Sequence, residues 1–176
     1  MAFMVGLGLG AGLDGRDLKT VTRDDLGEVG LDPTKTILMV TVTGGREPRT
    51  VPVRAGYDVL VREGLTLHDQ CGRGPRAVLL GQDTTRDHVT SPVTERAVHA
   101  DVTKSVNIDA SRLRNTWVVA AMCANVPMAD LLRAAGLRSA RTISDLLPFC
   151  PDADPEVITA ALAVMLDTVT KTGKNS

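Results

Sequence analysis

The chain contains 15 arginines, whose side chains could bind phosphate groups. A guanidinium is always charged, and its planar fork of N–H donors matches two oxygens of a phosphate. Arginine outnumbers lysine three to one in this chain, which favours such contacts. The excess of arginine over lysine is therefore compatible with contacts to phosphate groups.

Gly10-Ala-Gly12-Leu-Asp-Gly15 has the glycine spacing of dinucleotide-binding loops. That site needs a strand before the glycines and a crossover helix after them. Here the following segment is short and polar, and the next strand leads into a hairpin. Small residues that let a helix pack closely are the better interpretation.

His68 and Cys71 are spaced like two metal ligands, but no second pair accompanies them. Structural zinc requires four ligands. We expect no metal and no cofactor, with the histidines on the surface and the cysteines in the core.

Residues 130–147 suggest a helix-turn-helix, with Gly136 at the turn. Arg138, Arg141 and Ser144 would then face the major groove of DNA. A corner between two core helices, with arginines on its surface, explains the same pattern equally well.

Three ordered motifs resemble one family. Ser111-Arg-Leu-Arg-Asn-Thr-Trp117, followed by VPMADLLRAAGLRS, resembles H-x-L-R-H-T-(F/W), an apolar helix, a break and a second helix ending in L-G-H. The segments GAGLDGRDLKTVTRDDL and TILMVTVTGGREPRTVPV resemble two earlier motifs of the same family. Over about residues 3–150 the chain thus resembles the catalytic domain of a tyrosine recombinase, the phage-integrase family.

The resemblance implies a tyrosine that attacks a DNA phosphodiester, with arginine, lysine and histidine side chains around the phosphate. In this chain most of those positions carry other residues: Asp14, Gly44, Ser111, Leu137 and, for the nucleophile, Leu146. Only Arg114 is retained in place. The resemblance implies that a DNA-binding surface would be formed by Arg16, Arg46, Arg49, Arg112 and Arg114. The single tyrosine, Tyr57, is remote in sequence from the nucleophile position, and Ser144 has no adjacent base to activate it. We predict a recombinase-like protein without catalytic residues.

Four functions remain open, one of which is an active enzyme that uses a displaced nucleophile. A pseudo-recombinase would bind DNA or a partner recombinase, or associate with itself through a helix at 156–170. A helix-turn-helix regulator would read DNA through 138–147. A protein-interaction scaffold without nucleic acid is favoured by the net charge of −1, since DNA-binding domains are usually basic.

The 176 residues suit one integrase-like domain, without the family's separate DNA-clamping domain and with a disordered tail at 171–176. Cys71, Cys123 and Cys150 are too few and too scattered for a disulfide framework, which suits a reducing cytoplasm. The apolar run 2–13 is too short to span a membrane.

The fold class expected is α+β, mainly helical, with a small antiparallel sheet around a hairpin at about 36–53. A glycine-rich turn should follow Asp25, and 64–76 should be a loop. Helices are expected over 55–63, 91–100, 111–125, 127–135, 139–147 and 156–170.

Overall fold

The computed structural model describes residues 2–32, 35–44, 47–80, 108–152 and 154–159. Its helices are α1 (Ala2–Ala11), α2 (Gly15–Leu18), α3 (Asp58–Gln70), α4 (Ala110–Cys123), α5 (Met128–Ala135) and α6 (Arg141–Leu146). Its strands are β1 (Leu26–Asp32), β2 (Lys35–Val42) and β3 (Arg49–Pro52). Single 3-10 turns lie at Arg23–Asp25 and Leu147–Phe149. The expected α+β class, mainly helical with a small antiparallel sheet, is confirmed.

The sheet has the strand order β1-β2-β3, and both pairings are antiparallel. Leu38, Val40 and Val42 alternate along β2 and are buried, so one face of the sheet covers the core. The predicted hairpin is β2 with β3, in a register that sets Val40 opposite Val51.

Strand β1 corrects the expectation of a turn after Asp25. Gly27 and Gly30 suggested a turn, yet both pair with β2, opposite Met39 and Thr36. Both glycines are exposed, so the sequence of β1 does not show the alternation of buried apolar and exposed polar residues that usually marks a strand. The strand is specified by its backbone pairing with β2, which only the assembled sheet supplies.

Helix α1 lies at the centre of the core, where it packs against α3 and α4. Met4, Leu7 and Ala11 on α1 are completely buried. A Cβ on Gly8 would lie only 2.8 Å from the Cβ of Leu113, and one on Gly10 only 2.8 Å from a methyl of Val53. These glycines therefore serve close packing, as interpreted from the sequence, and they lie within a helix rather than after the strand that a dinucleotide site requires.

Helix α3 is longer than predicted, because residues 64–70 continue it instead of forming a loop. Gly64 contributed to the wrong prediction of a loop. In the structure it leaves room for the ring of Phe3, since a Cβ on Gly64 would lie 2.9 Å from that ring. His68 is buried and meets Phe3 edge to face at 6.5 Å, so the expectation of surface histidines fails here. Cys71 and Cys123, expected in the core, are exposed.

Helices α4, α5 and α6 lie close to their predicted bounds. Asp109 caps α4, its carboxylate accepting a 2.9 Å hydrogen bond from the backbone N–H of Arg112. Gly136 ends α5 in the left-handed conformation, with φ of 61°.

The helix expected at 91–100, the tail and the part of the last helix beyond 159 lie outside the described residues. Among the helices that are described, none has the length and apolar character needed to cross a membrane.

Candidate functional site

A cavity of about 230 Å³ opens where α2, β3, α4, α5 and α6 meet. It gathers three of the five predicted DNA-binding arginines, Arg16, Arg49 and Arg114. Its other lining residues are Asp14, Asp17, Ser111, Asn115, Ala135, Gly136, Leu137 and Thr142. We call this cavity the arginine pocket. It also includes three of the positions at which the chain departs from the family pattern, Asp14, Ser111 and Leu137.

Asp14 shapes the rim of the arginine pocket as the N-cap of α2. Its carboxylate accepts hydrogen bonds from the backbone N–H groups of Arg16, at 2.8 Å, and Asp17, at 3.0 Å. Asp17 returns the contact by accepting from the backbone N–H of Asp14 at 3.2 Å. This reciprocal capping box fixes both carboxylates at the start of α2.

Asp17 forms a buried ion pair with Arg49. Their side chains are 4% and 8% exposed, and Nη2 of Arg49 lies 2.5 Å from Oδ2 of Asp17. Arg49 also donates to two carbonyl oxygens, from Nε to Ala134 at 2.9 Å and from Nη1 to Glu47 at 3.3 Å. Charged groups so deeply buried are tolerated because each has a close partner.

Arg114 forms a second ion pair, with Asp14. Its Nη1 lies 2.5 Å from Oδ2 of Asp14, and the two side chains are 14% and 28% exposed. Its Nη2 donates to the carbonyl oxygen of Ala135. The arginine that matches the family motif therefore contacts a carboxylate at the position where the family has an arginine.

The C-terminus of α5 binds both guanidiniums, since Ala134 and Ala135 supply carbonyl oxygens that have no partner within the helix. Cations are stabilised there by the helix dipole. Gly136, the next residue, leaves room for Arg49, because a Cβ would stand 2.7 Å from its Nη1. Arg49 and Arg114 thus join α5 to the start of α2.

The lining of the arginine pocket carries three arginines and two aspartates, which leaves one formal positive charge. A phosphate entering here would have to compete with carboxylates for Arg49 and Arg114. Arg16 is exposed and lines the pocket beside these two ion pairs. The arrangement suits a weak electrostatic contact better than a concentrated site for a phosphorane-like transition state.

The remaining predicted residues lie elsewhere. Arg112 has a side chain that is 63% exposed, and Leu146 is buried; both line a second groove along α4, which adjoins the arginine pocket at Asn115. Gly44 is exposed, and a Cβ added to it would lie 2.6 Å from the side-chain methyl of Thr20. Arg46 lies outside the described residues. The structure therefore brings together Arg16, Arg49 and Arg114, and separates Arg112 from them.

Two of the three predicted helix-turn-helix residues have partners within the protein, Arg138 in another part of the chain and Ser144 within the same segment. Nε of Arg138 lies 2.7 Å from Oε1 of Glu47, and the hydroxyl of Ser144 donates to the carbonyl oxygen of Ala140 at 3.2 Å. Helix α6 begins at Arg141 and has only six residues.

Asp17, Asn115 and Thr142 are pocket residues that the sequence reasoning missed. Asp17 could have been found, because Asp14-Gly-Arg-Asp17 has the spacing of a capping box ahead of a helix. Asn115 follows the matched Arg114 along α4. For Thr142 no pattern in the sequence gives its place in the pocket.

His68 and Cys71, the possible pair of metal ligands, lie apart: His68 is buried in the core and Cys71 is exposed on the surface. Within the described residues no three histidine, cysteine or acidic side chains are grouped so that they could hold a metal ion.

No protein-family model and no curated protein sequence matches the chain. Its structure is similar to that of XerA recombinase, with a TM-score of 0.58 at 13% identity, covering 91% of this chain and 56% of that one. XerH site-specific recombinase bound to difH substrate, in a pre-cleavage complex, gives a TM-score of 0.57 at 15% identity over 93% of this chain and 46% of XerH.

The chain has a recombinase-like fold. A third similar structure is the Tn1549 transposon integrase in complex with circular intermediate DNA, with a TM-score of 0.51 at 13% identity over 92% of this chain and 56% of the integrase. This chain spans about half the length of each of these proteins. At such low identity the likeness is one of fold, and it confirms the resemblance drawn from the three sequence motifs.

Proposed function

We propose that this recombinase-fold protein associates with DNA in recombination or integration without cleaving it. The arginine pocket carries this proposal. It gathers Arg16, Arg49 and Arg114 as a phosphate-binding site would, while Asp14 and Asp17 pair with two of the three. A cavity arranged in this way can contact a phosphate backbone through Arg16 but has less charge to stabilise a cleavage transition state.

The position of Leu146 supports the lack of cleavage. The family resemblance sets the nucleophile there, yet Leu146 is apolar, 7% exposed and turned to the groove along α4. Tyr57 lies just before α3, with Arg54 over its ring at 5.3 Å, and is not among the residues that line the pocket. Ser144 is not among them either.

The proposed partner is duplex DNA, by analogy with the XerH and Tn1549 integrase complexes. Association with a partner recombinase, or with a second copy through 156–170, belongs to the same proposal. The net charge of −1 implies modest affinity that depends on salt. We propose the cytoplasm as the compartment.

Duplex binding should be measured at two salt concentrations for the wild type and Arg16→Ala, with Arg76→Ala as the matched control, since Arg76 is an exposed arginine outside the pocket. We expect Arg16→Ala to weaken binding. The slope of log K against log salt should also become shallower by about 1, the amount that corresponds to one lost phosphate contact. Arg76→Ala should behave as wild type. If the wild type does not bind duplex DNA at low salt, the DNA proposal is wrong and the interaction scaffold is favoured.

A nicked suicide substrate tests for cleavage, because a covalent intermediate would accumulate on it. We expect no covalent protein–DNA complex. A denaturation-resistant complex would contradict the proposal, and its attachment site would identify the nucleophile.

The helix-turn-helix alternative makes the opposite prediction for the arginines. If 138–147 read DNA, Arg138→Ala and Arg141→Ala would abolish specific binding and Arg16→Ala would matter little. We expect Arg16→Ala to have the larger effect, since Arg138 already pairs with Glu47.

A further inference from the structure

The arginine pocket and the groove along α4 lie side by side on the same helix. Ser111 and Arg114 line the pocket, whereas Arg112 and Thr116 line the groove. Residues three or four apart share a face of a helix, so each pair belongs to its own stripe along α4. Asn115 lies about one turn after both Ser111 and Arg112, and it lines both spaces. A ligand held at the pocket therefore has the groove directly beside it.

The groove has the size and lining of a site for a flat apolar group. Its volume is about 540 Å³, within the range of about 300–1,000 Å³ that ligand sites usually have. Leu113 and Leu146 are 8% and 7% exposed and form its buried side, whereas Phe149 is 71% exposed. Five of its eight lining residues are apolar: Ile108, Leu113, Val119, Leu146 and Phe149.

The ring of Phe149 stands at the open side of the groove on a defined backbone. Residues Leu147–Phe149 form a 3-10 turn, which is closed by a 3.0 Å hydrogen bond from the N–H of Cys150 to the carbonyl oxygen of Leu147. Exposed aromatic rings are the groups on which proteins stack unpaired nucleobases, and such stacking tolerates any base because every base has a π-face. The groove therefore combines an aromatic face with an apolar wall.

The polar residues of the groove suit a nucleotide as well. Among the described residues that line it none is acidic, and Arg112 adds a positive charge, with its Nε 4.0 Å from Oδ2 of Asp109. The half-buried side chain of Asn115 makes no hydrogen bond with the described residues. Its amide offers both donors and an acceptor, as the polar edge of a base requires.

We propose that the groove along α4 receives one unstacked nucleotide of a DNA strand whose backbone contacts Arg16 at the arginine pocket. The base stacks on Phe149 beside Leu113 and Leu146, and its polar edge meets Asn115. This inference rests on the proposed association with DNA. Taking a base out of its stack costs least where the base is already unpaired. The protein should therefore prefer DNA that carries an unpaired nucleotide to an intact duplex.

The experiment compares three DNA molecules in equilibrium binding to the full chain: an intact duplex, the same duplex with one extra unpaired nucleotide, and the latter with an abasic sugar at the extra position. The abasic molecule has the same extra backbone unit, so it controls for the altered shape of the DNA. We expect the molecule with the unpaired base to bind about 5- to 100-fold more tightly than the abasic one, which is the range for one base–aromatic stack.

Three variants locate the stack. Phe149→Ala should remove the preference for the unpaired base and leave binding to the intact duplex near wild type, because Phe149 does not line the arginine pocket. Phe149→Trp keeps an aromatic face and should retain the preference. The matched control is Leu147→Ala, since Leu147 is 55% exposed in the same turn but is not among the residues that line the groove.

Equal affinity of the wild type for the unpaired-base and abasic molecules would overturn the inference, as would a preference that survives Phe149→Ala. If Arg16→Ala weakens duplex binding while the unpaired base makes no difference, the proposed function stands and only this inference is wrong. Absence of binding to all three molecules overturns both. Dimers that Phe149→Ala dissociates, together with no preference for the base, would assign the groove to a second copy of the chain.

Discussion

Two groups of arginine–carboxylate pairs occupy different surroundings in this molecule. In the arginine pocket, Arg49 and Asp17 are 8% and 4% exposed. At the edge of α3, Arg23 and Asp69 lie 3.0 Å apart and are 42% and 47% exposed, and Arg62 pairs with Glu28 at similar exposure. The same chemical groups are thus buried in one region and hydrated in the other.

Burial explains why only the pairs in the arginine pocket are part of the architecture. Water and salt screen an exposed pair, and holding two long side chains together costs entropy, so the net stabilisation is small. A buried pair has given up its hydration, so removing one partner leaves the other uncompensated. In the pocket this dependence is increased by the carbonyl groups of α5 that Arg49 and Arg114 also bind.

The largest effect should come from Arg49→Ala. It leaves Asp17 buried without its cation and removes a partner from the C-terminus of α5, so we expect a loss of about 3–5 kcal/mol in the free energy of unfolding. Urea denaturation measures it. The double variant Asp17→Asn with Arg49→Met should lose less, because no uncompensated charge remains; an equal loss would mean that packing outweighs the ion pair.

Gly136→Ala should cost about 2–3 kcal/mol, since it combines left-handed backbone strain with a collision against Arg49. The matched control is Gly72→Ala, where φ is +65° but nothing lies within 4 Å of the added Cβ. It should cost about 1–2 kcal/mol from strain alone. Thermal unfolding measures both losses. Equal losses in the two variants would show that the Arg49 side chain moves away from the added Cβ without loss of stability.

Asp14→Asn keeps an N-cap side chain but removes the charge that faces Arg114. The pair is partly exposed, so we expect a loss of about 1 kcal/mol in stability. Duplex binding should become tighter and more salt-dependent, because the pocket gains a positive charge. The control is Asp130→Asn, which removes the partner of the 78% exposed Arg133 and should leave the salt dependence nearer to wild type than Asp14→Asn does. Unchanged DNA binding in Asp14→Asn would separate the pocket from any DNA contact.

The smallest effect should come from Asp69→Asn and should depend on pH. The Arg23 guanidinium lowers the pKa of Asp69, first through a hydrogen bond and then through its charge. A carboxylate whose pKa is lower in the folded state stabilises the protein above its unfolded pKa and loses this contribution as the pH falls through the folded value. The variant should therefore be slightly less stable than wild type at neutral pH and equal to it in strong acid. A difference that persists in acid would assign the effect to packing.

Much of the fold follows from local signals in the chain. The β-branched run of β2, the glycine at position 136 and the apolar periodicity of α4 and α5 place these elements within a few residues. Strand β1 and the second half of α3 could not be predicted in this way. Their glycines read as breaks, and only the pairing with β2 and the packing against Phe3 override that preference.

The residue types available for the site can be taken from the sequence: the arginines, the aspartate at position 14, and a leucine in place of a tyrosine at position 146. The packing of the helices pairs Arg49 and Arg114 with Asp17 and Asp14 over the end of α5. It places Arg112 and Leu146 at a different groove. The physical reason is that such partners lie up to a hundred residues apart. Which charges share a buried space depends on how the helices pack, and no local spacing in the chain records that.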